Sequence, residues 1–585
     1  MFPKRLILCV LLAITACPTL AKAQSHPAAI NLIPADAIIC VELSDPKALL
    51  DVLASDKACN AVSSLPAYQT LASNPKFKEF QMVIKMFEVS LETDWRTGLA
   101  ALTGGGITLA VRPDNTVIAV MDAQDEQKLN KLHELLLNIA RGEADKAGQP
   151  GRVTSAEYKG VTGWTFNGKE AHAVIGRRLI FANNSEGLKA ALDLSKSPEG
   201  GSLAANEKYL AAKKAAGIKC IGTVYANAEP LQYIPGLAKV LQQDKTNPLA
   251  ALFFAPIIEA VRNSTWLALG LNVQDDALAV EAHLDGKGID PEGPSGFAVP
   301  AKPDHGAMPN LSVPRSVAAV SLYRDLHSFY KYKDELFGER TSGLIFFENM
   351  MGIFFSGRDL TDEVLAETTP HMRLVVARQE YDQAKGTPEV QIPAFALILS
   401  LRNSKQFSEV AEEAWQKAIG LVNFTRGQQA MPGLIIDKPV HGDTKFSVAY
   451  FSTAGMEETT RLPTRFNIRP SLAVSGDYLI ISSTDGLTRD LIDAVKHQTD
   501  EGASAIAKTH SIAELSGGEL ATILQANFKS MVRKNMIDKG SSQEDAERSV
   551  GILITIAKFI DHMELSIGTE DGLTKARAEL HLDME

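Results

Sequence analysis

The sequence is poor in cysteine and in aromatic residues. It also lacks any dense run of basic residues and any apolar stretch long enough to cross a membrane. Each shortage excludes something. Of five cysteines in 585 residues, Cys9 and Cys17 fall in the first seventeen positions, leaving Cys40, Cys59 and Cys220. Three unrelated spacings make no disulfide framework, and no Cys-x-x-Cys pair is present to ligate zinc. One disulfide among the three is compatible with an oxidising compartment, but the apolar runs around Cys40 and Cys220 favour buried free thiols. Without clustered Lys and Arg there is no footprint for nucleic acid, which is bound through neutralised phosphates. The apolar run Leu6–Ala16 is about eleven residues long, short of the roughly 20 needed to span a bilayer, so the mature chain is expected to have no transmembrane span.

What stands at the N-terminus has the three parts of an export signal. Lys4 and Arg5 precede the apolar run, and Pro18 leads to Ala21-Lys22-Ala23, a small-residue cleavage pattern that places the cut after Ala23. A second pattern overlaps it. Ile14-Thr15-Ala16-Cys17 resembles a lipobox, in which Cys17 is lipidated, although Pro18 directly after the cysteine disfavours it. Both readings take the chain out of the cytoplasm, to the periplasm, the cell envelope or the medium. Removing residues 1–23 deletes three cations and no acids, taking the formal net charge from −11 to −14. Such a surface favours solubility and repels anionic membranes.

The remainder is ordinary globular sequence, 45% hydrophobic and 22% charged, with ample material for more than one core. Its strongest feature is internal repetition. Residues 171–194 and 471–494 share a strand, glycine, strand, helix phrase, with Gly176 and Gly476 at hairpin turns where positive φ is cheap for glycine. Gly187-Leu188 and Gly486-Leu487 open the helix that follows.

Other phrases recur in the same order. Pro34 with Ala37–Leu43 pairs with Pro314 and Val317–Leu322. Ile107–Val111 and Val117–Met121 pair with Met372–Val376 and Ala394–Leu399. Leu129, Leu132 and Leu136 match Phe407, Val410 and Ala414 in helical spacing. Ala226-Asn227 recurs as Ala526-Asn527, read as a strand-to-helix junction with Asn as the cap. Glu281–Asp285 recurs as Glu579–Asp583 at each unit's end.

The expected organisation is a signal over 1–23, a first unit over 31–285, a Gly/Pro-rich linker over 286–314 and a second unit over 315–585. Strands 107–111 and 117–121 are joined too tightly for a parallel crossover. The fold class is therefore α+β: two tandem homologous units, each a largely antiparallel sheet with helices packed on one side. Leu267, Leu269, Leu271 and Val273, and again Leu278, Val280, Ala282 and Leu284, alternate and are read as one covered face of the last two strands.

Chemistry is sparse. Glu281, His283 and Asp285, and likewise Glu579, His581 and Asp583, alternate along a strand, so their side chains share a side at about 6.6–7 Å intervals and a metal ion is geometrically permitted. No further His or Cys cluster completes such a site, and the plainer reading is a polar strand face. His133-Glu134 begins like the zinc-protease helix motif, but Leu137 stands where the second His is required; both are read as the exposed side of a helix. Ser44-x-x-Lys47 and Ser73-x-x-Lys76 lack the companion motifs of penicillin-binding enzymes and read as helix caps. Gly104-Gly105-Gly106 precedes a strand and reads as a turn, not a phosphate cradle. The apolar stretches Leu249–Val261 and Leu344–Phe355 are expected to be core-facing helices; if exposed, they would mark an interaction surface.

The opening strand after Pro34-Ala35-Asp36-Ala37, the phrase Gly176–Leu192, and Ser202-Leu203 to Tyr209 leading into Ile221–Ala226 resemble the exported bacterial family known as domain of unknown function 3352. The second unit departs from the pattern, with Arg315-Ser316 where Ala35-Asp36 stand. The resemblance implies export and an uncharacterised role, and it carries over no catalytic residue. The expectation is a non-catalytic envelope or secreted protein that binds or scaffolds an envelope protein, with no cofactor. The alternatives are a divergent hydrolase, with metal dependence as one version of it, and a lipid-anchored envelope protein.

Overall fold

The structure, a computed structural model, describes residues 28–53, 75–197, 201–217, 220–233, 235–241, 247–274, 277–286, 289–302, 304–337, 342–381, 386–452 and 461–582, with Cys59, Ser63, Tyr68 and Ala72. The export pattern with Cys17 and Ala23, the phrase beginning at Ser73, and Asp583 lie outside the described residues. Those described fall into two compact units. One takes the chain up to Leu237 together with Ser264–Gly286, and the other takes Ala238–Asn263 together with Lys287 onward. The helical segment before Ser264 thus groups with the second unit, whereas the sequence boundaries kept it in the first.

In the first unit β1 (Ile39–Leu43) leads through α1 (Pro46–Leu53), α2 (Pro75–Leu91) and α3 (Trp95–Thr103) to the hairpin β2 (Ile107–Val111) and β3 (Val117–Asp122). The long helix α4 (Glu126–Lys146) follows, then β4 (Thr154–Tyr158), β5 (Val161–Thr165), β6 (Ala171–Ile175) and β7 (Arg178–Ala182). Helices α5 (Ser185–Lys196) and α6 (Glu207–Ala216) precede β8 (Gly222–Asn227), β9 (Trp266–Gln274) and β10 (Ala277–Leu284). The strands pair antiparallel throughout, in the order β4-β5-β6-β7-β3-β2-β1-β8-β9-β10. Local chemistry sets the joints. Gly176 turns β6 into β7 at φ 55°, and Asn184 starts α5 by accepting from the Gly187 N–H at 2.7 Å.

The second unit opens with α7 (Pro248–Asn263). Strand β11 (Ser316–Tyr323) leads through α8 (Leu326–Lys331) and α9 (Ser342–Phe354) to β12 (Thr368–Ala377) and β13 (Ala394–Leu401). After α10 (Ser404–Gln428) come β14 (Leu434–Asp437), β15 (Ser447–Phe451), β16 (Ser471–Ser475) and β17 (Tyr478–Ser482). Helix α11 (Asp485–Asp500) and β18 (Thr509–Ser516) follow, then α12 (Gly517–Ala526), α13 (Phe528–Lys539), α14 (Gln543–Phe559), β19 (Ile560–Glu570) and β20 (Leu573–Leu582). The antiparallel order is β14-β15-β16-β17-β13-β12-β11-β18-β19-β20. It is the order of the first unit, strand for strand. Gly476 turns β16 into β17 at φ 56°, and Thr484 caps α11 by accepting from the Leu487 N–H at 3.3 Å.

The α+β class and the antiparallel sheets hold, and three finer expectations are corrected. Helices cover both faces rather than one. Neighbouring Leu479 and Ile480 point oppositely, Leu479 into the cluster built on Phe407 and Trp415 of α10, Ile480 into the cluster built on Leu491 and Ile492 of α11. In the first unit the better-buried face of β9 and β10 is Trp266, Ala268, Ala277, Ala279 and His283, while Leu278, Val280 and Ala282 are half-buried and only Leu284 of their row is fully buried. Small residues there let α6 approach closely: a Cβ on Gly270 would stand 3.2 Å from the Ala216 carbonyl and 2.6 Å from Cys220 Sγ. Lastly, Asn527 joins two helices and ties Gln391 by paired hydrogen bonds. The position that matches Asn227 in the strand order is Ser516, which caps α12 through the Glu519 N–H.

Arg324, fully buried after β11, holds α7 in place. Its guanidinium donates to the carbonyls of Leu252 (2.6 Å), Phe253 (3.0 Å), Tyr323 (2.6 Å), Ala298 (3.1 Å) and His510 (3.2 Å). Each donor of a buried cation needs such an acceptor.

Candidate functional site

The acid–histidine strands are the first place to look for chemistry. Glu281 and His283 on β10 approach to 3.8 Å between Oε2 and Nε2, with His283 buried. Asp285 lies past the strand end and is used elsewhere, its Oδ1 accepting from the backbone N–H of Thr265 (2.8 Å) and Trp266 (3.0 Å). Glu579 and His581 on β20 repeat the 3.8 Å spacing, but His581 is half-exposed and stacks on His562 at 4.0 Å between ring centroids. Glu579 is also bonded to Arg577. Each strand thus brings one acid and one histidine together. Among the described residues no group of three or more His, Cys, Asp and Glu side chains is placed to hold a metal ion.

His133 is not on the exposed side of its helix. It faces inward from α4, with Nε2 3.1 Å from Nε2 of His172 on β6, beside Trp164 and with Phe166 stacked on His172. Burial pushes His172 down to about 4 and His133 below its ordinary value, so the pair is neutral at pH 7, one ring donating to the other. At the matching positions of the second unit, Ala411 and Leu472 share one apolar cluster. Glu134 stays on the exposed side.

Cys40, Cys59 and Cys220 are all free thiols. Burial and the Glu42 charge push the Cys40 thiol up, and burial raises Cys220, whose Sγ lies 3.0 Å from the Ala216 carbonyl. Neither is an activated nucleophile, which requires a lowered pKa. Beside Cys40, Glu42 accepts from the Tyr209 hydroxyl and from Lys213 at 2.9 Å. Burial and the carboxylate hold the phenol protonated, so this trio pins α6 to β1.

The least expected feature is apolar surface. On α9, Ile345, Phe346 (67% exposed), Phe347 and Ile353 face solvent, and Leu344 alone among the helix's large side chains is fully buried. That stretch was expected to face a core. Helix α7 meets the expectation better, burying Ala251, Ala255 and Ile258 while exposing Leu249 and Phe254. Helix α2 was not singled out by sequence, yet Met82, Val83, Met86 and Val89 (78% exposed) stand open on it. The missed signal is the i, i+4, i+7 stripe of Met82, Met86 and Val89. Both helices occupy the same place in the strand order, α2 between β1 and β2 and α9 between β11 and β12. Each packs on the long helix of its own unit, α2 on α4 and α9 on α10.

Comparison with known proteins bears on family more than on activity. Residues 70–323 match the family model described as "Protein of unknown function (DUF3352)". This is the family the sequence phrases resemble, and the match ends at Tyr323, within β11. No curated protein matches the chain. Solved structures titled "Structure of crystal form I of TP0453" and "Structure of crystal form III of TP0453" align at 7% and 8% identity with TM-scores of 0.23 and 0.24. Each alignment covers 45% of this chain and 81% of that chain. A likeness at that level carries no argument about fold or function.

Proposed function

We propose that this is an exported, non-catalytic binding protein of the cell envelope, built from two copies of one α+β module, each presenting an apolar helix to a protein partner. The observation that carries the reading is the pair of exposed faces on α2 and α9 at one place in one strand order. Supporting the duplication are the matched connectivity of β1–β10 and β11–β20 and the positive φ of Gly176 and Gly476. Supporting export is the N-terminal pattern ending at Ala23. A protein partner is favoured over an anionic lipid surface because the formal charge is −11, and −14 without residues 1–23.

The test is affinity capture from an envelope fraction with the full chain and with the double variants Met86→Asp/Val89→Asp and Phe346→Asp/Ile353→Asp. These side chains are exposed, so the variants keep the wild-type far-ultraviolet spectrum and melting temperature. The reading expects a specific partner whose recovery drops at least tenfold with either pair. Recovery unchanged by both pairs, or transfer of binding to lipid vesicles alone, would overturn it.

A further inference from the structure

Among its described residues the second unit buries two arginines, Arg324 and Arg373, and only the first has an acceptor for each of its donor nitrogens. Arg324 has the carbonyl acceptors described above. Arg373, 2% exposed on β12, has Nε, Nη1 and Nη2 all buried without a well-formed hydrogen bond, and the Tyr478 hydroxyl stands near enough to act on its charge. Among the described residues it forms no ion pair, and its aromatic neighbour is Tyr478, whose ring centroid lies 5.3 Å from the guanidinium carbon.

Other unpaired groups stand on the elements packed around it. Ser321, directly across the β11–β12 ladder from Arg373, is 1% exposed and its hydroxyl has no partner. Residues opposite each other in an antiparallel pair share a face, with Cβ atoms about 4.5–5.5 Å apart. On that face His371 and Val375 flank Arg373 two residues either way. The segment 305–313 runs over it. Near its start, the Gly306 backbone hydrogen-bonds His371 and Gly306-Ala307 pairs with Ile506-Ala507. At its far end Leu311 and Val313 pack on Val375 and Ala377. Asn310 lies on the strap between these anchors, and both its amide nitrogen and its amide oxygen are buried without a partner. Gln498 of α11 fixes the strap through the Pro309 carbonyl at 3.4 Å.

A guanidinium stays charged in a protein, and a buried charge without acceptors is among the costliest arrangements a fold can hold. We propose that Arg373, Ser321 and Asn310 form an enclosed binding site for a small anion, a halide or a small oxyanion. The guanidinium supplies charge and up to two parallel N–H donors, the serine hydroxyl and the asparagine amide supply neutral ones, and the strap closes the site. Because every donor atom is buried, the occupant is limited to a few atoms. Burial lowers the proton affinity of Arg373, and an anion beside it reverses that cost.

The experiment melts the full chain in chloride, formate or phosphate against gluconate at constant ionic strength. Binding to the native state alone raises the melting temperature by about 3 °C for each tenfold rise in anion above its dissociation constant. The expected result is that rise for at least one of the three small anions, lost in Arg373→Met and reduced in Ser321→Ala. Should Arg373→Met fail to fold, bromide-soaked crystals of the wild-type protein decide, with an anomalous peak expected within hydrogen-bond distance of Arg373. Identical melting in all four salts, an anion effect unchanged by Arg373→Met, or water alone beside Arg373 in the bromide crystals overturns the proposal.

Discussion

At the scale of residues, the informative positions are polar groups standing where the pattern of the chain calls for apolar ones. His172 lies between buried Ala171 and Ala173, and His133 meets it from α4. With His172 at about 4 when folded and near 6.5 when unfolded, the unfolded state binds more protons between those values. Stability is therefore full above about pH 6.5 and falls as pH drops toward 4. His172 alone accounts for a loss of about 2 kcal/mol at pH 5. His133, His371 and His510, all lowered by burial, add with the same sign. Urea midpoints measured from pH 8 to pH 5 should fall, and His172→Leu should flatten part of that slope, since Leu472 fills the matching site in the second unit. An unchanged slope in His172→Leu would mean that the pair titrates no differently when folded.

Residue-level detail was hard to read from sequence for a definite reason. Arg373 sits within Met372–Val376, where strand periodicity is dominated by its apolar neighbours and gives no sign that the cation between them is buried. His133 shares a helical turn with Glu134, which invited placing both on the wet side.

At the scale of elements, the joints were legible because they rest on backbone chemistry that few residues satisfy. Gly176 and Gly476 were marked as turn glycines and both have φ near 55°. A Cβ on Gly476 would meet no atom within 4 Å, so substitution costs backbone strain and little else. Gly476→Val is expected to lower the unfolding free energy by about 1–2 kcal/mol, and Gly476→Asn by less than half as much. Chemical denaturation distinguishes them, and equal costs would place the penalty outside the left-handed backbone.

Faces were less legible than joints. For β9 and β10 the leucine rows looked inward, but Ala268, Gly270, Ala277 and Ala279 give α6 a flat surface to approach, so the small-residue face is the more deeply buried. For α9 the apolar count exceeds what one core can cover. Composition alone does not say which side chains stay in water.

At the scale of the whole molecule, phrases recurring in the same chain order mark two segments whose strands pair in the same order, an order that the phrases themselves did not specify. In each unit a helix between the first two strands in chain sequence, α2 between β1 and β2 and α9 between β11 and β12, carries exposed methionine, valine, isoleucine or phenylalanine. A fold stabilised only by its own cores has no need to keep such residues in water in both units, which is why partner binding stands at the centre of this account. The most direct measurement is photo-crosslinking in intact cells with a photoreactive residue placed singly at Met86 and at Phe346, and at exposed Lys496 as control. The account predicts discrete protein adducts from both apolar positions and none from the control; adducts to lipid alone, or none from either position, would contradict it.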